Sequence, residues 1–311
     1  MANIDLSVII PSKNNKNKTA QIIKKISVEL CDLEVEFIVI DMNSSDNSVL
    51  SALNEIKNSN LRGYVIQSGT GTVASALNTG VHKSDGKYIT FVYPGCLYKN
   101  YLKHYFDTME KHGADFLYYS NQDESKDNEK VFFPSGEELF LKLVGSSAAI
   151  EFGAVMIRRE FVCNNHISFY DDCAYGYAEA YIFELLLYSP NIVATSYHPE
   201  RDYENSVIRD DVPVGNAAMG RVGAMIKVYE QMCLDRKRKS GLKEAFQYIK
   251  LPSVIMSAVD VLMEKNFSIK AIKNSLHTKH YDDYLHVSSL TPKKLRHKVL
   301  VWKYMSGIYR A

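Results

Sequence analysis

Groups that can hold a cation, grip an anion or take a proton are sparse in this chain, and their placement is informative. Asp41 closes the apolar run Phe37-Ile38-Val39-Ile40 and opens Met42-Asn43-Ser44-Ser45-Asp46, a cluster of turn formers and helix N-caps. Ligands of open α/β sheets gather at the carboxyl ends of strands, so Asp41 is either a ligand contact or a cap for the next helix. A second run, Gly86-Lys87-Tyr88-Ile89-Thr90-Phe91-Val92, ends at the sharp bend Tyr93-Pro94-Gly95-Cys96, where no carboxylate falls. Asp171, Asp172 and Glu179 lie at the start of an apolar helical stretch, where acids also serve as solvated partners of a helix N-terminus. His277 and His280, near Asp282 and Asp283, have a spacing that a metal can use, but a solvated helix end explains them better. The five cysteines are scattered, odd in number and without metal-ligand spacing, which reads as reduced thiols.

Strands and helices must alternate to position these residues. Leu6-Ser7-Val8-Ile9-Ile10-Pro11 and Glu36 to Asp41 are short continuous apolar runs, the pattern of strands covered on both faces. Tyr64-Val65-Ile66 predicts a third strand, and the run from Gly86 a fourth. Between them Ile22, Ile26 and Leu30, then Val49, Leu50, Leu53 and Ile56, then Val73, Leu77 and Val81 recur at helical spacing. This order predicts a parallel sheet with right-handed crossovers. Further on, Tyr101, Leu102, Tyr105, Phe106 and Met109 mark a helix, and Phe116 to Tyr119, Ala154 to Ile157 and Ile192 to Tyr197 mark strands. Asn121 to Lys130 is polar and reads as an exposed loop.

From about Gly215 strand signals cease and long helical stretches follow, so the chain divides into an α/β domain, 1–211, and a helical region, 212–311. A formal charge of +1 offers no global attraction to nucleic acid. No apolar run approaches the roughly 18 residues of a membrane span, and the N-terminus enters a strand without a basic flank, so no signal peptide is expected. Beyond Asp283 the chain has no acid, while Lys293, Lys294, Arg296, Lys298, Lys303 and Arg310 alternate with Leu295, Val299, Leu300, Trp302, Met305, Ile308 and Tyr309. The stretch 291–311 therefore suits either peripheral contact with an anionic membrane or docking on its own domain with a solvated basic face.

Several ordered pieces resemble the family 2 glycosyltransferases, which have the nucleotide-diphospho-sugar (GT-A) fold. They are Ser7-Val8-Ile9-Ile10-Pro11 with Asn14, Phe37 to Asp41 with Ser44-Ser45-Asp46-Asn47-Ser48, Ala76-Leu77-Asn78-Thr79-Gly80, and Gly86-Lys87-Tyr88-Ile89-Thr90-Phe91. Phe169-Tyr170-Asp171-Asp172 and Tyr197 to Ser206 are looser matches to the acceptor side. The resemblance implies a mostly parallel Rossmann-like sheet with flanking helices, and a hexosyltransferase moving sugar from a nucleotide donor to a glycan or lipid-linked acceptor in polysaccharide biosynthesis. It implies a nucleotide contact at Asp41, with Pro11, Ser12, Asn14, Asn43 and Ser44 beside it. Lys13 stands where the family often has an aromatic. Asn78 would tie its helix to the bend, or be purely structural, and Tyr93, Pro94 and Gly95 would line the donor.

Two departures bear on chemistry. The family places an Asp-x-Asp or Asp-Asp pair at the strand-end bend to hold magnesium or manganese, and Tyr93-Pro94-Gly95-Cys96 offers no hard oxygen carboxylate. A cation there would be held mainly by the nucleotide phosphates, with Arg201 as a substitute positive charge, although a surface ion pair explains Arg201 better. The family's base pair is also displaced, so Glu179, Asp171 and Asp172 are the candidate bases. The alternative is a catalytically silent homologue that binds or scaffolds a partner glycosyltransferase. Either would be cytoplasmic, or peripheral at the inner face of the membrane.

Overall fold

A computed structural model of the chain describes residues 4–15, 17–69, 71–93, 97–120, 130–202, 214–234 and 240–309. Pro94, Gly95 and Cys96 of the bend, the polar stretch from Asn121 to residue 129 and the expected boundary at 211/212 lie outside these residues. Contacts divide the chain into two compact units: 1–136, 149–172 and 185–209 form the first, and 137–148, 173–184 and 210–311 the second.

The first unit holds the alternation read from the sequence. Its elements begin β1 (Leu6–Ser12), α1 (Asn17–Glu29), β2 (Val35–Asp41), α2 (Ser48–Asn58), β3 (Arg62–Gln67), α3 (Val73–Lys83) and β4 (Tyr88–Phe91). They continue with β5 (Tyr98–Lys99), α4 (Leu102–His112), β6 (Phe116–Tyr119) and β7 (Val131–Phe132). After α5 (Gly136–Val144), which mostly joins the second unit, come β8 (Val155–Arg158) and α6 (Arg159–Asn164), and after α7 (Tyr177–Leu186), which mostly joins it too, β9 (Ile192–Thr195) and β10 (Glu200–Arg201). The main sheet runs β3-β2-β1-β4-β8-β6-β9-β7, and β5 pairs with β10 apart from it. β1, β2, β3 and β4 are parallel, whereas β8 is antiparallel to both β4 and β6.

Side-chain alternation shows which face each helix covers. Val8, Ile10, Phe37 and Val39 share a core cluster with Ile22, Ile26 and Ile56 of α1 and α2. Ile38 and Ile40 pack instead with Ala76 of α3. The layers are therefore helix, sheet, helix, and a one-residue slip in β1 or β2 would exchange the two cores. Gly80 lets α3 press onto the sheet, since a Cβ there would lie 2.3 Å from Ile9 Cγ2. Gly86 is needed at the turn into β4 for the same reason, with Ser7 N at 2.5 Å from the added carbon. The expected face of α2 needs correction. Ser48, Ala52 and Ile56, four residues apart, point inward, while Leu50 is 57% and Leu53 42% exposed, because 100° per residue carries them off that stripe.

The second unit gathers α8 (Val214–Leu234), α9 (Ser240–Ala245), α10 (Leu251–Glu264), α11 (Ile269–Thr278) and α12 (Lys293–Tyr304) with most of α5 and α7. The reason α5 and α7 join it is aromatic: Phe183 of α7 lies 5.0 Å from Phe140 of α5 and 5.1 Å from Phe246, ring centre to ring centre. Phe246–Lys250 is a π-helical turn between α9 and α10. Pro252 has no N–H to bond the Tyr248 carbonyl four residues earlier, and the Thr291 hydroxyl donates to that carbonyl at 2.7 Å instead. The segment Ser240–Glu264 is long and apolar enough to cross a membrane by length and composition, contrary to the sequence expectation. Its residues Leu251, Val254, Ile255, Met256, Ala258, Val259 and Leu262 are buried within this unit.

Candidate functional site

Strand register brings one end of the sheet into focus. Ser12 of β1, Asp41 of β2 and Gln67 of β3 stand side by side at the carboxyl edge. Pro11 lies one pair back, opposite Ile40. Asp41 is 1% exposed. Its Oδ2 accepts from Ser44 N–H at 3.2 Å, and its Oδ1 has no hydrogen-bond partner among the described residues. Burying an unpaired carboxylate oxygen costs about 1–3 kcal/mol or more, so a fold that keeps one invites a donor from outside.

The loops around Asp41 are tied to each other. Asn14 N–H donates to Ser44 Oγ at 2.9 Å, and Asn14 Oδ1 accepts from Ser45 N–H at 2.9 Å. Asn14 and Asn43 both take the left-handed conformation, with φ of 51° and 59°, which short amide side chains tolerate better than most. Ser12 Oγ lies 3.0 Å from Thr19 Oγ1 of α1 and accepts from Asn15 Nδ2 at 3.4 Å. The structure thus gathers Pro11, Ser12, Asn14, Asp41, Asn43 and Ser44 at the ends of β1 and β2 and in the loops that follow them. Asn14 and Ser44 spend polar groups on holding the two loops together.

A second group forms where α3 begins. Thr72 caps α3, accepting from Ser75 N–H, and its hydroxyl donates to the Asp171 carbonyl. Asn78 Nδ2 donates to the Phe169 carbonyl at 2.8 Å and to Asp171 Oδ1 at 2.6 Å, while its Oδ1 accepts from Phe169 N–H at 2.8 Å. Asn78 is expected to tie its helix to the bend after β4, whose residues 94–96 lie outside the described residues; among the described residues its amide clasps the loop Phe169–Asp171. The Phe169 ring stands edge-on to Phe91, the last residue of β4, at 5.4 Å, and Phe91 stacks on Phe152 at 5.0 Å. Tyr93, half-buried, lies 6.0 Å from Phe152. Asp171 and Asp172 are exposed on this loop.

Glu179 has a different job from the one its sequence position suggests. Its carboxylate receives Arg221 Nε at 2.6 Å, Arg221 Nη2 at 3.0 Å and Lys250 Nζ at 2.6 Å. Burial works to raise its pKa, but the Arg221 hydrogen bond and the Lys250 and Arg221 charges prevail and hold it at about 2. A carboxylate so acidic and so occupied is a weak proton acceptor. Lys250 is 4% exposed, and burial lowers its pKa against the pull of Glu179. This trio belongs wholly to the second unit, whereas Asp171 and Asp172 belong to the first.

Arg201 is exposed on β10, opposite Tyr98 of β5. Its neighbour Asp202 pairs with Lys25 of α1 at 2.8 Å, more than a turn beyond Thr19. That is a separate cluster of contacts from the Asp41 loops. Pro94 and Gly95 lie outside the described residues. Among the described residues no group of three or more His, Cys, Asp or Glu side chains is placed to hold a metal, His277 and His280 included. These two histidines pair individually with Asp282 at 3.1 Å and Asp283 at 3.4 Å. Sequence reasoning missed Ser45, Thr72, Arg221 and Lys250. A lysine inside the apolar run Phe246 to Val254 is the one visible signal for a buried ion pair.

Of the two courses expected for the tail, the apolar face of its helix takes the second. Val299 and Trp302 are buried, and Trp302 meets Tyr309 edge to face at 5.2 Å. Asp260 of α10 holds both Lys298 Nζ and the Tyr309 hydroxyl, the latter at 2.6 Å. The tryptophan face of α12 is therefore docked inside its own unit.

Comparison with known proteins bears on the fold and the family. A structure of S. aureus TarS 1–349 in complex with UDP-GlcNAc is similar over 96% of this chain and 87% of that one, at 14% identity and a TM-score of 0.64. A mannosyltransferase from Pyrobaculum calidifontis, in complex with GDP-Man and Mn2+, is similar over 98% of this chain and 86% of that one, at 12% identity and a TM-score of 0.55. These likenesses establish the GT-A architecture. No curated protein matches the chain. The family description "Glycosyl transferase family 2" matches residues 7–172, more than half of the chain and the whole span from β1 through the Asp171 loop. With its ordered strands, its strand-end Asp41 and that match, the chain belongs to glycosyl transferase family 2.

Proposed function

We propose that the protein transfers a sugar from a nucleoside-diphosphate donor to a glycan or lipid-linked acceptor hydroxyl. The observation that carries this reading is the buried, unpartnered Oδ1 of Asp41 at the carboxyl edge of the sheet. A carboxylate oxygen so placed accepts an N–H or O–H from a nucleobase or ribose, and the Asn14–Ser44–Ser45 clamp holds it still. The Phe91, Phe152 and Phe169 rings then floor the end of β4 beside Tyr93, where the sugar would lie. Asp171 and Asp172 are exposed acids on the loop after Phe169, with Asp171 oriented by Asn78 for proton transfer from the acceptor. The place of work is the cytoplasm, at the inner face of a membrane when the acceptor is lipid-linked.

A divalent cation neutralises the departing diphosphate in many such enzymes. Tyr93-Pro94-Gly95-Cys96 supplies no carboxylate to hold one, so the donor set does not fit a protein-held magnesium or manganese. A cation would be held mainly by the phosphates. Magnesium or manganese should add less than about tenfold, roughly 1.4 kcal/mol, to nucleotide affinity. The occupied state of Glu179 favours one rival reading, a silent homologue that supports an active partner glycosyltransferase. The test is turnover of nucleotide sugars in excess chelator, followed as nucleoside diphosphate release. Release that persists with chelator supports the reading. No release from any donor, with or without metal, favours the silent homologue, and release abolished by chelator overturns the metal argument.

A further inference from the structure

The second unit presents a face that the sugar-transfer reading does not use. Helix α12 buries Val299 and Trp302 on one side, and at about 100° per residue the opposite side is formed by Lys293, His297, Leu300 and Tyr304. All four are exposed, and Lys294 and Lys303, also exposed, flank them. Leu300 is 39% and Tyr304 79% exposed, and the chain continues into Met305 and Ile308, 55% and 64% exposed. Four large apolar side chains thus stand in water beside a row of cations. Lys298 is excluded from this row because Asp260 already neutralises it, and Arg296 donates to the Ser288 and Thr291 carbonyls.

We propose that this face is a docking surface for an anionic lipid bilayer. Charge complementarity selects the occupant: residues 284–311 contain no Asp or Glu, so nothing on this segment repels phosphate headgroups or neutralises its own lysines. Long lysine stems spread toward headgroups while Leu300, Tyr304, Met305 and Ile308 enter the interfacial layer. An acidic protein partner would use the lysines but gain less from scattered apolar tips without a matching pocket. The tryptophan stays within its own unit, held against Tyr309, so the surface is the reverse of the one that hydrophobicity alone selects.

The test is co-sedimentation of the full chain with vesicles of phosphatidylglycerol in phosphatidylcholine, against pure phosphatidylcholine. Binding to the anionic vesicles only, weakened by salt, is expected. Lys293→Gln with Lys303→Gln should lower the partition constant about 25-fold, near fivefold per lysine. Lys57→Gln with Lys83→Gln, exposed lysines of the first unit, should leave it unchanged. Leu300→Ser with Tyr304→Ser should weaken binding even at low salt. The emission of Trp302, the single tryptophan, reports that each variant remains folded. No binding to anionic vesicles at low salt overturns the proposal and leaves the face to a protein partner. Equal losses from both lysine pairs would also overturn it, since attraction would then be general rather than local.

Discussion

Asp41 and Glu179 are both carboxylates taken largely out of water, one in each unit, and the protein treats them in opposite ways. Glu179 is saturated: three N–H donors from Arg221 and Lys250 satisfy its two oxygens, and the ion trio is packed beside Phe183, whose ring lies 5.0 Å from Lys250 Nζ. Asp41 is 1% exposed, yet among the described residues it receives one backbone N–H and keeps Oδ1 unpaired. An interior charge with all its partners is part of the scaffold, whereas an interior charge with a spare acceptor awaits a ligand. Both carry the same functional group, so only the inventory of partners distinguishes scaffold from site.

The largest way to break this comparison is Glu179→Ala. It leaves Lys250 buried with its charge unpaired, and losing one partner of a buried pair costs about 3–5 kcal/mol. The second unit should melt far below wild type, while Glu179→Met combined with Lys250→Met should recover much of the loss. Equal melting temperatures for Glu179→Ala and wild type would mean the trio is not structural. Acid titration sharpens the same point. The Glu179 pKa is held at about 2 against an ordinary 4.5, so its stabilisation is complete above about 4.5 and is lost as pH falls toward about 2. Glu179→Gln should flatten that limb of a melting-temperature profile between those values.

How far the sequence discloses such differences depends on the range of the interaction. The strands of the parallel half are legible because burial on both faces leaves continuous apolar runs, and Asp41 is legible because it stands at the end of one. The two-residue strands β5, β7 and β10 are too short to leave a pattern. The outward Leu50 and Leu53 mislead because helical spacing alone does not say which of two stripes faces the sheet. The Glu179 partners lie 42 and 71 residues away, and no local pattern announces a pairing made by tertiary packing. Trp302 stays ambiguous for the same reason: an amphipathic helix reads alike whether a membrane or its own unit covers the apolar face. Asn78 is visible as a polar residue in α3, but the loop it clasps is 91 residues distant.

Smaller effects come from the groups that hold the site rather than form it. Asn78→Ala removes three hydrogen bonds that tie the Phe169–Asp171 loop to α3 and should cost about 1–3 kcal/mol, with faster proteolytic cutting at that loop. Unchanged cutting would show the clasp to be dispensable. Asn14→Ala, which loses the side-chain bond to Ser45 N–H, should cost about 0.5–1.5 kcal/mol and weaken nucleotide binding less than any change at Asp41.

The central claim is that the carboxyl edge at Asp41 binds a nucleoside diphosphate, and titration calorimetry of UDP and GDP tests it most directly. Wild type should bind at least one of them. Asp41→Ala should weaken that binding about ten- to a hundredfold, the equivalent of about 1.5–3 kcal/mol for hydrogen bonds to a charged group. Its melting temperature should stay level or rise, because the unpaired buried oxygen is removed. Failure of wild type to bind either nucleotide, or identical titrations for wild type and Asp41→Ala, would contradict the account.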